Sequence, residues 1–192
     1  LRDFSAPIKL NYDYTRDQLM FLMQHDTDGF NRWDAGQNLA LDVIYQVMQE
    51  LAEGSKPVVD ARLITAYRTV LKRDDIDYAM LAKMLLLPSV SYIAETQDVI
   101  DIQAINQARS HVQSVLAEAL AEDLAALYQR LNVQQSYLPE PEQMAQRGLK
   151  NAALSYLLKT GHKKYCDFAL AQFENSDNMT DSMAALASLV NS

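Results

Sequence analysis

The side chains most able to do chemistry in this chain are its three histidines, its single cysteine and a cluster of aspartates in one turn. His25, His111 and His162 lie far apart, and none has a second histidine four residues further on. A helix that holds zinc through two histidines needs the H-E-x-x-H spacing, because residues i and i+4 lie on the same face of a helix. The sequence therefore contains no site of this kind.

The nearest approach to a metal site is the stretch HDTDGFNRWD, where His25 and three aspartates surround a glycine. A calcium-binding EF-hand loop needs oxygen ligands at positions 1, 3 and 5 before its glycine and a glutamate at position 12. In that register Gln24, Asp26 and Asp28 occupy the first three places, and position 12 is not a glutamate. We interpret the stretch as a solvated turn between helices, in which Asp28 or Asn31 caps the next helix.

The single cysteine, Cys166, follows His162 and two lysines in TGHKKYCDF. Nearby cations can lower the pKa of a thiol, so a cysteine nucleophile is one hypothesis. A catalytic cysteine also needs an oriented base, and buried cysteine is common. The favoured interpretation is that Cys166, Ala169, Leu170 and Phe173 form the buried side of a short helix while the lysines face water.

Other catalytic patterns are missing from the sequence. It contains neither a G-x-S-x-G elbow nor a glycine-rich phosphate loop. The most distinctive local pattern is FNRWDAGQNL, in which Arg32 and Trp33 stand at the start of a helix and are expected to lock it to its neighbours. We therefore predict no catalytic, cofactor-binding or metal-binding residue in this chain.

Composition limits the partners and the compartment. The formal net charge of −8 should repel both the phosphate backbone of nucleic acids and an anionic membrane surface, so neither is an expected partner. A lone cysteine cannot form an intramolecular disulfide, which suits a reducing compartment and predicts a cytoplasmic location. The sequence has no apolar run of the roughly 20 residues that span a bilayer.

Helical patterns fill the chain from Thr15 onwards. Few Gly and Pro and many Leu, Ala and Gln favour helices. Thr15 and Gln18 form a capping box, and Gly54 marks the end of a second helix. The face of that helix is traced by Trp33, Leu39, Val43, Val47 and Leu51. Further helices are predicted over residues 58–72, 76–87, 144–158 and 163–173, with one short turn near residue 92.

The longest predicted helix covers residues 101–131, because apolar residues from Ile102 to Leu131 keep a helical period throughout. By contrast, Phe4, Ile8 and Leu10 alternate around a proline and predict a short extended segment. The fold class is therefore all-α: an irregular α-solenoid or bundle of antiparallel helix pairs with an extended N-terminal segment.

The last helix predicted is DNMTDSMAALASLVNS, with Asn178 or Thr180 as N-cap and Asp181 in the first turn. Its apolar residues recur at helical spacing and should be buried against a partner; they are Met183, Leu186, Leu189 and Val190. We expect further helices of the parent protein to cover them.

Three segments, LRDFSAPIKL, FNRWDAGQNL and DNMTDSMAALASL, resemble bacterial aminopeptidase N, a zinc-dependent family that removes N-terminal residues from peptides. Their order and separation match, and the resemblance covers essentially the whole chain. It implies that residues 1–14 are the tail of a β-sandwich domain and that residues 15–192 are an incomplete C-terminal helical domain.

The resemblance further implies a parent enzyme that is a zinc metallo-aminopeptidase acting on peptide substrates, with this segment walling the substrate chamber and contacting the catalytic domain of the same polypeptide. The family's H-E-x-x-H, G-A-M-E-N and transition-state tyrosine have no counterpart here, so no site residue is carried over. The segment itself is expected to hold no cofactor and to be inactive. The alternative is a free-standing α-solenoid adaptor that binds a peptide or protein in a concave groove.

Overall fold

The computed structural model describes residues 12–191, and this part of the chain forms ten α-helices. The predicted all-α class is confirmed, whereas the extended segment at Phe4, Ile8 and Leu10 falls outside the described residues. The helices are α1 (Arg16–His25), α2 (Gly29–Ala52), α3 (Ala61–Leu71), α4 (Tyr78–Leu85), α5 (Val90–Glu95), α6 (Ile102–Ala119), α7 (Ala121–Leu131), α8 (Pro141–Lys159), α9 (Lys163–Asn175) and α10 (Met179–Val190).

Local capping explains why several helices begin where they do. The predicted capping box of α1 is present: the Thr15 amide donates to Gln18 Oε1 at 2.9 Å, and the Gln18 amide donates to Thr15 Oγ1 at 3.3 Å. After α2, Gly54 takes a φ of 70°, the left-handed conformation that glycine adopts without steric cost. Asn178, one of the two predicted candidates, caps α10 by accepting the Asp181 amide at 2.9 Å.

The chain divides into two compact units. The first is built from the described residues up to Lys72 together with Leu87–Val112, and the second from Arg73–Leu86 together with the described residues from Gln113 on. Helix α6 therefore begins in the first unit and ends in the second.

In the first unit, α1 packs against both α2 and α3. The predicted face of α2 is confirmed at its centre, where Leu39, Val43 and Val47 are fully buried, while Trp33 and Leu51 near its ends are half-buried. Gly36 allows α1 to approach closely: a Cβ at this position would lie 3.2 Å from Met23 Sδ. An alanine here would require the Met23 side chain to move by a few tenths of an ångström.

In the second unit, α8 is the central element and contacts α4, α7, α9 and α10. It is buried on more than one side, as a helix with several neighbours must be. Tyr156 extends this packing by donating its hydroxyl to the Leu85 carbonyl at 2.6 Å. The fully buried apolar residues of α8 are Leu149, Ala153, Leu154 and Leu157.

The predicted single helix over residues 101–131 is wrong, because Leu120 interrupts it with φ −111° and ψ 7°. Helical hydrogen bonding continues on both sides: the Leu120 amide donates to Leu116 O, and the Leu124 amide donates to Leu120 O. The apolar residues therefore keep their helical spacing on both sides of Leu120. Ile102, counted on the predicted face, is exposed.

The predicted apolar side of α10 is left uncovered by the described residues, and its expected cover, further helices of the parent protein, stays a prediction. Asp181 and Ala185 are the buried positions, whereas Met183, Leu186 and Val190 are exposed. The helix turns its polar N-terminal residue inwards because a buried cation is available to pair with it.

Candidate functional site

The HDTDGF turn is a capped connection between α1 and α2. Asp28 Oδ1 accepts the Asn31 amide at 2.9 Å, as the N-cap prediction required, and Asp26 Oδ1 accepts the Asp28 amide at 2.8 Å. The imidazole of His25 lies against Phe21, with ring centroids 4.9 Å apart. The aspartate oxygens therefore bind backbone amides, and the turn orders the entry into α2.

Arg32 locks the start of α2 to α1, as the sequence predicts, whereas the ring contact of Trp33 is with Phe30 of the same helix. Arg32 is buried, and its Nε donates to the Met23 carbonyl of α1 at 3.3 Å. Trp33 is half-buried, and its ring lies 5.6 Å from that of Phe30. A buried guanidinium that donates to a helix C-terminus satisfies a carbonyl left without a helical partner.

Cys166 is half-buried on α9, and the buried face of this helix differs from the prediction. Tyr165, Ala169 and Gln172 are buried, whereas Leu170 and Phe173 are exposed. The exposed Lys163 pairs with Asp167 at 3.0 Å, as expected for a lysine that faces water. The error of about one residue in register arises because Tyr165 and Gln172 have partners on other helices, which the local pattern does not reveal.

A buried polar network joins α8 and α10. Lys150 Nζ lies 2.7 Å from Asp181 Oδ2, and both side chains are almost completely buried. Asn151 Nδ2 donates to Asp181 Oδ1 at 2.9 Å, and Asn178 Nδ2 donates to Asp181 Oδ2 at 3.2 Å. Because each carboxylate oxygen has a donor, the buried charge is well compensated.

The same network continues to α9 and α7. Gln172 Nε2 donates to the Asp181 carbonyl at 3.0 Å and to Asn151 Oδ1 at 2.8 Å, and the Tyr128 hydroxyl donates to Gln172 Oε1 at 3.1 Å. Burial, and secondarily the charge of Asp181, raises the pKa of Tyr128 to about 12. The cluster fixes four helices of the second unit relative to one another. Sequence reasoning missed it because residues that bond directly, such as Tyr128 and Gln172, are up to 44 positions apart.

A second cluster of charges joins the first three helices. Arg16 donates to Asp42 at 2.6 Å and to Asp60 at 2.9 Å, and Arg62 donates to Asp60 at 2.7 Å and to Asp17 at 3.1 Å. The Arg62 guanidinium, assisted by Arg16, holds the pKa of the Asp60 carboxyl well below its usual range. Asp60 is also the N-cap of α3, where it accepts the Arg62 amide at 2.9 Å. Both charge clusters therefore connect helices.

A shallow cleft in the second unit has a volume of about 230 Å³. It is smaller than the roughly 300–1,000 Å³ typical of small-molecule sites. Its cation, Lys159, donates to the Asn191 carbonyl at 2.5 Å. The other lining residues are Gln113, Ser155, Leu158, Ala187 and Ser188. The cleft lacks the paired acid and base that general acid–base catalysis requires.

The described residues contain neither a cluster of metal-binding side chains nor a membrane-spanning helix. Within residues 12–191, no three His, Cys, Asp or Glu side chains are placed to hold a metal ion together. In the same part of the chain, every helix is either too short or too polar to span a lipid bilayer. The charged clusters around Asp181 and around Asp60 join helices to one another.

Residues 16–192 match the family described as "Domain of unknown function (DUF3458_C) ARM repeats". The chain belongs to this family. Armadillo-type repeats stack helix pairs on one another, which agrees with the succession of packed helices within each unit.

The chain is also similar to curated proteins named aminopeptidase N. It is 39% identical to that of Escherichia coli (strain K12) over 99% of this chain and 22% of that protein. It is 32% identical to that of Haemophilus influenzae over 97% of this chain and 21% of that protein. The predicted resemblance is confirmed. The chain spans about a fifth of the length of the curated relatives it matches.

A solved structure shares the same fold. The crystal structure of Legionella pneumophila aminopeptidase A in complex with aspartic acid matches 98% of this chain and 23% of that one, with a TM-score of 0.82 and 30% identity. The relatives found by sequence and the neighbour found by structure are thus all proteins named aminopeptidases.

Proposed function

We propose that this chain is a non-catalytic helical segment of a zinc-dependent aminopeptidase that releases N-terminal residues from peptides. The observation that supports it best is the match of nearly the whole chain to proteins named aminopeptidase N, combined with side chains that build helix contacts and not a reacting centre. In this proposal residues 1–14 end a β-sandwich domain, residues 15–192 belong to the helical domain, and the parent enzyme is cytoplasmic.

The zinc of the parent enzyme does not fit the residues described here. The sequence has no H-E-x-x-H, and the aspartates nearest to a histidine, around Asp26 and Asp28, already accept backbone amides. We therefore assign the zinc, and every step that uses it, to the remainder of the parent polypeptide. A structural wall contributes to catalysis in a different way, since enclosure excludes water and holds the substrate in a productive position.

The first test is hydrolysis by the isolated chain. We expect no cleavage of aminoacyl substrates, with or without added zinc, at concentrations at which a full-length aminopeptidase N relative is fully active. Activity that stays proportional to the concentration of this chain through successive purification steps would overturn the proposal. Cys166→Ala, assayed in parallel, tests the cysteine-nucleophile hypothesis, because that hypothesis requires activity that this variant loses.

The second test addresses the parent protein. Sequencing the source gene on both sides of this region should reveal, in frame, an H-E-x-x-H followed by a downstream glutamate, the ligand set of a catalytic zinc site with an open position for water. Flanking stop and start codons would favour the adaptor alternative.

The third test addresses the contact with the catalytic domain. The parent's catalytic portion and this chain, produced separately and mixed, should co-elute, and the mixture should discriminate between short and long peptides more strongly than the catalytic portion alone. An adaptor would instead bind peptides by itself, which titration of the isolated chain with a peptide library would detect.

A further inference from the structure

The connection between α5 and α6 presents a patch of β-branched apolar side chains to solvent. Val99 is 84% exposed, the largest fraction of any large apolar residue described, and Ile100 is 58% exposed. Ile102, the first residue of α6, is 50% exposed. One exposed apolar residue is ordinary, but three within four positions form a patch whose burial by a partner is favourable.

The structure holds both ends of this connection in place. At its start, the Thr96 hydroxyl donates to the Ile93 carbonyl at 2.6 Å and shares a hydrogen bond with the Tyr45 hydroxyl of α2. At its end, Asp101 Oδ1 accepts the Ala104 amide at 3.0 Å and so caps α6. A partner would therefore bind a preformed loop with stiff side chains, and little conformational freedom is lost on binding.

Acidic groups surround the apolar patch. Glu95, Asp98 and Asp101 are exposed, and no described side chain forms an ion pair with any of the three. Residues 84–108 contain neither lysine nor arginine nor histidine. The next cation along the chain, Arg109, donates to the Pro88 carbonyl at 2.8 Å. We call this feature the 95–102 surface; its members are Glu95, Asp98, Val99, Ile100, Asp101 and Ile102.

The composition of the 95–102 surface defines the partner it fits. Its apolar side chains need an apolar recess, and its carboxylates need lysine or arginine at the rim of that recess. A helix that extended the helical core would instead need a continuous apolar stripe, which this loop does not offer. Contacts between domains of one chain are more polar than a core, and the mixture of apolar and charged groups is typical of them.

We propose that the 95–102 surface is the docking site for the catalytic domain of the same parent polypeptide, which meets it with an apolar recess rimmed by lysine and arginine. This inference rests on the proposed function. The chain spans only 22% of the Escherichia coli relative, so most of a polypeptide of that length lies outside it. The exposed apolar side of α10, in the other unit, is where we expect further helices to pack.

Cysteine labelling compares the isolated chain with the full-length parent polypeptide. In a Cys166→Ala background, Ile100→Cys should react with N-ethylmaleimide at least tenfold more slowly in the full-length parent than in the isolated chain. Val133→Cys is the matched control, because Val133 is 53% exposed and also lies in a loop. It should react at the same rate in both proteins. Mass spectrometry of the labelled peptides separates these thiols from others of the parent.

Binding in solution tests the apolar contact and its partner. The parent's catalytic portion, produced separately, is titrated with this chain by calorimetry. Val99→Ser combined with Ile100→Ser should raise the Kd at least tenfold, whereas Val133→Ser should leave it unchanged. The substituted residues are exposed, so the variants should fold normally, and circular dichroism checks this.

The salt dependence of binding tests the charges. Sodium chloride should weaken the complex, because it screens the attraction between the carboxylates and the basic rim. Glu95→Gln combined with Asp98→Asn should raise the Kd and make it less sensitive to salt. Glu174→Gln, which removes an exposed acidic group of α9, should do neither.

Two results would overturn the docking site alone: equal labelling of Ile100→Cys in the isolated chain and in the full-length parent, or binding that the double serine variant leaves intact. An H-E-x-x-H in the flanking gene sequence would still support the aminopeptidase role in either case. Absence of that motif would instead contradict the proposed function, whatever the labelling shows.

Discussion

Lys150 Nζ lies 2.7 Å from Asp181 Oδ2 in the interior of the second unit, where each side chain is less than a tenth exposed. This pair explains why α10 buries an aspartate and leaves its larger apolar residues in solvent. Removing a carboxylate from water costs several kcal/mol, and only a close partner with further hydrogen bonds offsets that cost. The pair thus sets the rotation of α10 about its own axis.

Breaking the Lys150–Asp181 pair should destabilise the second unit strongly. Lys150→Met leaves a buried carboxylate without its cation, and Asp181→Leu leaves a buried ammonium, so each should lower the free energy of unfolding by about 3–5 kcal/mol. Urea denaturation followed by circular dichroism measures the loss. The double variant, Lys150→Met with Asp181→Leu, should lose clearly less free energy of unfolding than the sum of the losses in the two single variants.

The control for this prediction is the exposed pair of α9. Lys163 is 88% exposed and pairs with Asp167 four residues away, so Lys163→Met should leave the urea midpoint nearly unchanged. If Lys150→Met and Lys163→Met lowered the free energy of unfolding equally, burial would not govern the strength of these ion pairs.

The Tyr128 hydroxyl provides a second test of the same network. Tyr128→Phe keeps the ring that stacks on Phe168 but removes the hydrogen bond to Gln172, and should cost about 1 kcal/mol.

The Tyr128 hydroxyl should also lose its proton at a higher pH than an ordinary tyrosine. The folded-state pKa of about 12 lies above the ordinary tyrosine value, so the contribution of Tyr128 is fully present below about pH 10 and disappears as the pH rises towards 12. The difference in absorbance at 295 nm between the unmodified chain and Tyr128→Phe isolates this phenol. A difference curve centred near pH 10 would contradict the assignment.

Sequence reasoning succeeded where the signal was local. The capping box of Thr15 and Gln18 and the N-caps Asp28 and Asn178 depend on residues no more than three positions apart, and the structure contains all of them. The buried face of α2 was also readable, because a long helix with a strict apolar period has one way to face a core.

It failed where a distant partner decides the outcome. The burial of Asp181 depends on Lys150, 31 positions away, and the register of α9 depends on the neighbours of Gln172. The break at Leu120 leaves the apolar period intact and uses neither glycine nor proline, so the sequence carries no mark of it.

Two glycines flanking and within α8 should respond to alanine in opposite directions. Gly161 has a φ of 70°, which L-residues adopt at a cost, so Gly161→Ala should destabilise by about 1 kcal/mol. Gly148 lies inside the helix with open space around its Cα, so Gly148→Ala should stabilise by roughly 0.5–1 kcal/mol. Urea midpoints that move in the same direction for both variants would contradict the backbone assignment.

Acid should weaken the first unit through Asp60. This carboxylate is only 14% exposed and contacts both Arg16 and Arg62, and the pKa of its carboxyl lies below the usual range chiefly because Arg62 donates to it. A depressed folded-state pKa means that the contribution of Asp60 is fully present above the ordinary aspartate value of about 3.9 and disappears as the pH falls below it. Asp60→Asn keeps an oxygen to cap α3 but removes the charge, so it should lower the free energy of unfolding at pH 7 by roughly 1 kcal/mol.

The pH dependence of this loss is the measurement. Urea denaturation of the unmodified chain and of Asp60→Asn between neutral pH and about pH 2 should show the difference in their free energies of unfolding shrinking only below pH ~4. A difference that stays constant across the range would mean that Asp60 acts through its cap alone and that its pairing with Arg62 contributes nothing.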